Sequence, residues 1–119
     1  MKVRTIALVA ITCAQLASRL AFGEPTLILD VRSDEEFAGG RVPGAVHAPF
    51  WRFDRMMAAA RTRLRGVPVV VYCGHGPRAW WAALCLRCGG VAPVHCMTGH
   101  MAEWRRDEVQ PGEALLCGR

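Results

Sequence analysis

The residue best suited to chemistry in this 119-residue chain is Cys73. It directly follows residues 69–72, a run of β-branched residues that ends in an aromatic one, which predicts a strand buried on both faces. Residues 74–78, Gly-His-Gly-Pro-Arg, come next, and a helix-compatible segment occupies residues 79–88. This order predicts a strand, a tight loop and a helix start, with Cys73 where the strand ends.

Such a loop can activate a thiol. Gly74 and Gly76 allow the backbone to approach closely, so the loop N–H groups and the positive end of the helix dipole converge on Cys73. Converging donors favour an anion and lower the pKa of a thiol, which populates the nucleophilic thiolate near neutral pH. Arg78, and His75 with it, would attract an anionic substrate. The sequence therefore predicts a nucleophilic cysteine in an anion-binding loop.

Composition and charge narrow the class of ligand. The length fits one domain, and 52% hydrophobic residues suffice for a core. The formal net charge of +5 is carried by arginine, since Lys2 is the only lysine. The chain lacks the dense basic and aromatic interleaving of nucleic-acid binders, so we expect small anionic ligands and neither a nucleic acid nor a membrane as partner.

The six cysteines indicate a reducing compartment. They stand at positions 13, 73, 85, 88, 96 and 117, and four of them lie in apolar runs, where a reduced cysteine behaves as a small hydrophobe. A disulfide framework is the alternative for a small secreted protein. We expect a reduced, cytoplasmic protein.

Residues 1–23 have two interpretations. A basic start, an apolar run and a small-residue site imitate a signal peptide, which would make the protein periplasmic. Alternatively, residues 6–11 form a strand and Thr12 caps a helix with Leu16 and Leu20 on its inner face, ended by Gly23. We prefer the second interpretation, because the apolar run is short and Arg19 interrupts the segment after it. Whether this segment is cleaved is open.

The other segments alternate between strand and helix patterns. Ser33, with Glu36 three residues later, has the pattern of a capping box before a short helix. The predicted strands are residues 26–29, 45–48, 69–72 and 91–97; the predicted helices start at residue 33 and span 51–64, 79–88 and 99–106. In the 51–64 helix, Phe53, Met56, Met57, Ala60 and Leu64 have inward spacing. This alternation predicts an α/β fold: a parallel sheet with helices on both faces, in one domain with a core of about residues 6–107 and a tail, 108–119.

In the order and spacing of its sequence motifs, the chain resembles the single-domain rhodaneses, which are sulfurtransferases. The matching pieces, in the family's order, are residues 29–37, residues 40–47, the loop from Tyr72 to Ala79, and residues 98–104 with their Gly-rich turn and Trp104. Arg41, His47 and Ala79 depart from the residues usual in the family. The resemblance implies a rhodanese-like three-layer fold with a central five-stranded parallel sheet.

The resemblance also implies a mechanism. Cys73 would take the outer sulfur of a donor such as thiosulfate, become a persulfide, and pass the sulfur to cyanide or to a thiol, without a cofactor or a metal. Asp30 and Arg32 would brace the loop and the Ser33 helix by ion pairing. The expected substrate-binding residues form the loop itself: Gly74, His75, Gly76, Pro77, Arg78 and Ala79. The physiological donor and acceptor and the oligomeric state are not predicted.

Two other activities of similar folds stay open. The related phosphatases and arsenate reductases have five residues between the cysteine and the arginine, whereas four separate Cys73 from Arg78. A non-catalytic binding or regulatory module is the other alternative, and an intact Cys73 and Arg78 argue against it. Sulfur transfer is the function that the sequence favours.

We expect structural roles for most cysteines, tryptophans, histidines and arginines outside the Cys73 loop. Cys85 and Cys88 are expected in the core with Trp81, although they could be a resolving thiol or, with residues 95 and 96, a zinc site. Trp80 could form a pocket wall. His47, His95 and His100 are expected to be structural or exposed, and the arginines of the 51–64 helix to be solvated unless Arg52 or Arg55 borders the donor site.

Overall fold

The sheet is parallel throughout and β4, the strand that leads to Cys73, lies at its centre. A computed structural model describes residues 9–74 and 76–105 of the chain. The elements are β1 (Val9–Ile11), α1 (Cys13–Ala21), β2 (Leu27–Asp30), α2 (Asp34–Ala38), β3 (Val46–His47), α3 (Phe53–Arg61), β4 (Val69–Tyr72), α4 (Pro77–Cys88) and β5 (Val94–Met97), followed by a helix, α5, at residues 100–105. The strand order is β1-β5-β4-β2-β3. The predicted α/β class with a five-stranded parallel sheet is confirmed.

The centre of the sheet is apolar on both faces because β4 is covered from both sides. All four residues of β4 are buried, as its β-branched run predicts. On one face, Val69 and Val71 pack with α3 and α4; on the other, Val70 and Tyr72 pack with α1 and α5. These two clusters give the three layers that the resemblance implies.

Both predicted helix caps are present, and the Thr12 cap is a capping box like the one predicted at Ser33. The Thr12 hydroxyl accepts from the Gln15 amide at 3.0 Å, and Gln15 accepts from the Thr12 amide at 2.8 Å. Ser33 and Glu36 make the same reciprocal pair at the start of α2. Satisfying otherwise unpaired N–H groups fixes where a helix begins, so local sequence sufficed for these boundaries.

The ends of α3 differ from the prediction. The helix spans nine residues instead of 51–64, and Phe53 and Leu64, expected to face inward, are 47% and 78% exposed. Met56, Met57 and Ala60 are buried as predicted. The inward face of α3 is therefore shorter than the apolar periodicity suggested, because only its middle turns reach the sheet.

The predicted orientation of α4 is wrong. Its buried residues are Ala79, Ala82, Ala83 and Leu86, whereas Trp81 is 56% exposed, Trp80 is 39% exposed, Cys85 is half-buried and Cys88 is exposed. Alanine lets the helix axis approach the central strand closely, and a tryptophan there would hold it away. Because α4 has apolar residues all around, its pattern could not indicate which side faces the sheet.

The bounds of β1 and β5 also differ from the predicted ones. β1 covers residues 9–11, and the earlier part of the predicted strand, residues 6–8, lies outside the described residues, as does the predicted tail. β5 begins at Val94 rather than at residue 91. In the part of the chain that the structure describes, no helix is long and apolar enough to cross a membrane.

Candidate active site around Cys73

Cys73 lies at the carboxyl edge of the sheet, directly after β4 and between the ends of β2 and β5. Ligands of open parallel sheets bind at this edge. The first turn of α5 holds the loop from one side: the Met101 amide donates to the Cys73 carbonyl at 2.9 Å, and the Ala102 amide donates to the Gly74 carbonyl at 3.3 Å. The Cys73 backbone is thereby fixed between β4 and the start of α5.

The sulfur faces backbone donors at the start of α4. The Gly76 amide donates to Cys73 Sγ at 2.9 Å, and the Ala79 amide also forms a hydrogen bond with the sulfur. Gly76 has a φ of 139°, a conformation that side chains rarely adopt, which explains a glycine here. Pro77 begins α4, where a missing N–H costs nothing. The loop is thus shaped around an anionic sulfur.

The pKa of the Cys73 thiol is lowered to about 7. Burial raises it, but the neighbouring His100 side chain and the hydrogen bonds from the Ala79 and Gly76 amides lower it by more. A large fraction of Cys73 is therefore thiolate at neutral pH, the form that acts as a nucleophile.

His100 belongs to this site, although the sequence predicted a structural or exposed role for it. Its Nδ1 accepts a hydrogen bond from the Cys73 amide at 3.1 Å, and the residue is buried. The signal that could have revealed it is its place after Gly99, in the turn that connects β5 to α5. Strand ends meet at this edge, so a polar residue following β5 lies beside one following β4.

Arg78 is paired rather than free. Its guanidinium donates to both carboxylate oxygens of Glu36, at 2.7 and 3.1 Å, and the pair is partly exposed. The Arg78 hydrogen bond lowers the pKa of Glu36 to about 2, with further help from Ser33. Glu36 was predicted only as a capping residue. It therefore joins the helix cap of α2 to the Cys73 loop.

Asp30 and Arg32 form a buried ion pair, as predicted, but away from the sulfur. The Arg32 side chain donates to both carboxylate oxygens of Asp30, at 3.0, 3.1 and 2.7 Å, and to the Gly40 carbonyl. The Tyr72 hydroxyl donates to Asp30 at 2.7 Å and accepts from the Val42 amide. The pair thus ties the end of β2 to the last residue of β4 and to the segment after α2.

A cleft of about 460 Å³ opens beside the loop. Its walls include Gly74 of the loop, residues 101 and 102 of α5, and a set of side chains that carry both charges. That set consists of Arg32, Glu35, Glu36 and Arg105. A small polar molecule that carries both charges could approach the Cys73 loop from this side.

The other predicted site residues divide into two groups. Gly74, Gly76, Arg78 and Ala79 surround Cys73, and Ala79 contributes through its amide. His75 lies outside the described residues. The Arg52 side chain pairs with Asp54 on the surface and Arg55 is exposed. Within the described residues, no three histidine, cysteine or acidic side chains group as metal ligands, including Cys85 and Cys88.

Comparisons with known proteins agree with this geometry. Residues 12–107 match the family model of the rhodanese-like domain. A sulfurtransferase of Allochromatium vinosum is 32% identical over 95 residues, which cover 76% of this chain and 82% of that protein. The human thiosulfate:glutathione sulfurtransferase is 29% identical over 109 residues, 82% of this chain and 94% of that one.

A solved structure gives the same result. The rhodanese-like domain protein of Staphylococcus aureus superimposes with a TM-score of 0.69 at 27% identity, covering 82% of this chain and 91% of that one. The family model, the relatives and the shared architecture lead to one conclusion: this chain is a member of the rhodanese-like domain family.

Proposed function

We propose that this protein is a sulfurtransferase that moves a sulfane sulfur from an anionic donor such as thiosulfate to a thiol or to cyanide. Cys73 would carry the sulfur as a persulfide. The observation that carries the proposal is the donor set at the sulfur: the Gly76 amide lies 2.9 Å from Sγ, in a loop of four residues between Cys73 and Arg78. Such donors stabilise negative charge at a fixed point.

The charges around the loop support an anionic donor. The Arg78 guanidinium lies beside Gly74, 3.2 Å from where a Cβ on that glycine would stand, while it pairs with Glu36. A guanidinium in that place attracts the sulfonate end of thiosulfate, and Glu36 reduces its net charge and holds its orientation. The substrate-binding role of the loop residues 74–79 and the bracing role of Asp30 and Arg32 are part of the same proposal.

A small thiol is the acceptor that we propose. The human relative is named for thiosulfate and glutathione, and the cleft beside Gly74 offers both arginine and glutamate side chains. A zwitterionic thiol peptide has complementary charges. We also propose a reducing, cytoplasmic location, which agrees with Cys73, Cys85, Cys88 and Cys96 being free thiols.

Sulfur transfer from thiosulfate to cyanide by the full chain tests the proposal. The wild-type protein should form thiocyanate and, without an acceptor, gain one sulfur atom on the Cys73 peptide by mass spectrometry. Cys73→Ser should lose both, because a hydroxyl is not a nucleophile for sulfane sulfur under these conditions. Cys88→Ser is the matched control, since Cys88 is exposed on the last turn of α4.

Two outcomes would overturn the assignment. Thiocyanate formation by Cys73→Ser at the wild-type rate would exclude Cys73 as the sulfur carrier. A wild-type protein that gains no sulfur from thiosulfate but hydrolyses an aryl phosphate would be a phosphatase of the same fold instead.

A further inference from the structure

The outer side of α4 exposes apolar side chains to solvent. A helix that is apolar on all sides is normally covered on all sides, but the chain covers only the inner side of α4, where small residues pack on the sheet. The exposed residues of this helix have in common that none is charged: Pro77, Trp80, Trp81, Leu84 and Cys88. The outer side of α4 is therefore an apolar surface that a single copy of the chain leaves open.

Four residues of α4 form a line along this surface. Trp81, Leu84, Cys85 and Cys88 have the spacing i, i+3, i+4 and i+7, which places their side chains in one stripe along a helix. We call these four residues the outer stripe. Trp81 is 56% and Leu84 37% exposed, and Cys85 is half-buried. The spacing of the outer stripe is the same from either end, and its midpoint lies between Leu84 and Cys85.

The two arginines of α4 are held by their own chain. Arg78 donates to the Glu36 carboxylate at 2.7 and 3.1 Å, and Arg87 donates to the Val91 carbonyl at 3.3 Å. The outer stripe itself carries no charge, so it has no group that would select an acidic or a basic partner. An uncharged surface is complementary to another uncharged one, and two copies of the stripe would oppose no like charges.

We propose that the outer stripe is the interface of a homodimer, in which the α4 helices of two copies pack antiparallel across a two-fold axis. The axis passes beside the midpoint of the stripe, so Leu84 and Cys85 meet the same residues of the second copy. Trp81 of each copy then lies at the level of Cys88 of the other. A large side chain beside a small one lets two helix surfaces interdigitate. This inference does not depend on the proposed sulfur transfer.

The neighbouring helix α3 enlarges the apolar surface. Met57 Sδ lies 3.2 Å from where a Cβ on Gly89 would stand, so this side of α3 faces α4. Phe53, one turn earlier on the same side of α3, is 47% exposed.

The exposed area is sufficient for a small dimer interface. An aromatic side chain has about 150–250 Å² of surface, so the outer stripe with Trp80 and Phe53 exposes about 400 Å² per copy. Two copies and a polar rim would bury about 1,000 Å², which is at the lower limit for a specific interface. We therefore expect a dimer that dissociates on dilution.

Sedimentation equilibrium of the full chain, in a reducing buffer that prevents disulfide links, tests the proposal. Between about 1 and 500 μM, the wild-type protein should change from monomer to dimer. Raising NaCl from about 0.05 to 0.5 M should strengthen the dimer, because salt screens the repulsion between two chains that each have a formal net charge of +5.

Substitutions locate the interface. Leu84→Glu should weaken association about thirtyfold or more, because each dimer would bury two unpaired carboxylates at the axis. Trp81→Glu should act in the same direction and serves if Leu84→Glu does not fold, since Trp81 is the more exposed side chain. Leu64→Glu is the matched control: it makes the same change at a leucine that is 78% exposed beyond the end of α3, and should leave association unchanged. Circular dichroism checks that each variant is folded.

Four outcomes would overturn the proposal. A dimer that persists in folded Leu84→Glu and Trp81→Glu would have another interface, and a loss of association shared by Leu64→Glu would reflect added charge in general. A dimer weakened by salt would be ionic. A wild-type protein that stays monomeric at every concentration would exclude the second copy, and binding of that monomer to phosphatidylglycerol vesicles would assign the outer stripe to a lipid surface instead.

Discussion

The Cys73 loop is supported from two sides, and the two supports have different chemistry. On the β2 side, Asp30 and Arg32 are buried and neutralise each other, with the Tyr72 hydroxyl as a third member. On the β5 side, the support is a buried imidazole: His100 accepts from the Cys73 amide. The β2 support is thus a buried ion pair, and the β5 support is an imidazole in contact with the Cys73 backbone.

This difference separates stability from reactivity. The groups of the β2 side satisfy one another, so their removal should affect folding more than the thiol. His100 and the loop amides lower the pKa of Cys73, so their removal should affect the thiol more than folding. The β5 side also depends on β1 and α1, because β1 pairs with β5 and the Cys13 thiol contacts the turn that carries His100.

Removing residues 1–23 is the most drastic test of the β5 side. It deletes β1 and α1 and with them the fully buried Leu16 and the buried Cys13. Burying one leucine side chain stabilises the fold by about 1.5–3 kcal/mol, and several apolar contacts are lost together. The total free energy of unfolding of a domain is only about 5–15 kcal/mol. We expect residues 24–119 to be unfolded or aggregated in a thermal melt.

Point substitutions give this prediction its control. Leu16→Ala should destabilise the full chain by about 2–5 kcal/mol, whereas Phe22→Ala, at a side chain that is 78% exposed, should have little effect. A cooperative transition of residues 24–119 at or above the midpoint of the full chain would contradict the prediction and would favour the signal-peptide interpretation of this segment.

On the β2 side, Asp30→Asn should destabilise the fold without changing the thiol. The substitution leaves the Arg32 guanidinium buried without its counter-charge, and breaking a buried pair in this way costs about 3–5 kcal/mol. Urea unfolding measures the loss, and Asp54→Asn, which breaks the exposed pair with Arg52, should leave the midpoint unchanged.

The same variant sharpens the contrast with His100. The pH midpoint of Cys73 alkylation by iodoacetamide should be the same in Asp30→Asn as in the wild type. Asp30 is not among the groups that lower the pKa of Cys73, and its carboxylate binds Tyr72 instead. A stable Asp30→Asn protein with a shifted midpoint would reverse the roles assigned to the two sides.

The smallest expected effect is a dependence of stability on pH between 7 and 9. The pKa of Cys73 is about 7 in the folded protein, below the ordinary 9.0, so the unfolded chain binds more protons in this interval. Stability from this group is therefore present above pH 9 and is lost as pH falls through 7, by about 2–3 kcal/mol in all. Urea unfolding of the wild type and of Cys73→Ser across pH 6–9 checks the slope.

Only the wild-type protein should gain stability as pH rises through this interval. Measurements stop at pH 9 because burial raises the pKa of Cys96, which gives a trend of the opposite sign at higher pH. Equal slopes for the two proteins would mean that the Cys73 thiolate is not stabilised by the fold.

The sequence predicted those features that depend on interactions between residues close together in the chain. The Thr12 and Ser33 caps, the buried β4 run and the glycine at position 76 each depend on residues within a few positions of one another. The same is true of the Cys73 loop, whose Sγ meets an amide three residues later. Local sequence could therefore predict the strand, the loop and the fold class.

Contacts between distant segments were decided only by the tertiary structure. His100 meets Cys73 across 27 positions and Arg78 meets Glu36 across 42, and no local pattern couples these pairs. The inward face of α4 was also undetermined, because its residues are apolar on every side and only the close approach to β4 selects alanine over tryptophan. The sequence by itself determined the position of Cys73 and its loop; packing of the parallel strands side by side determined which side chains surround it.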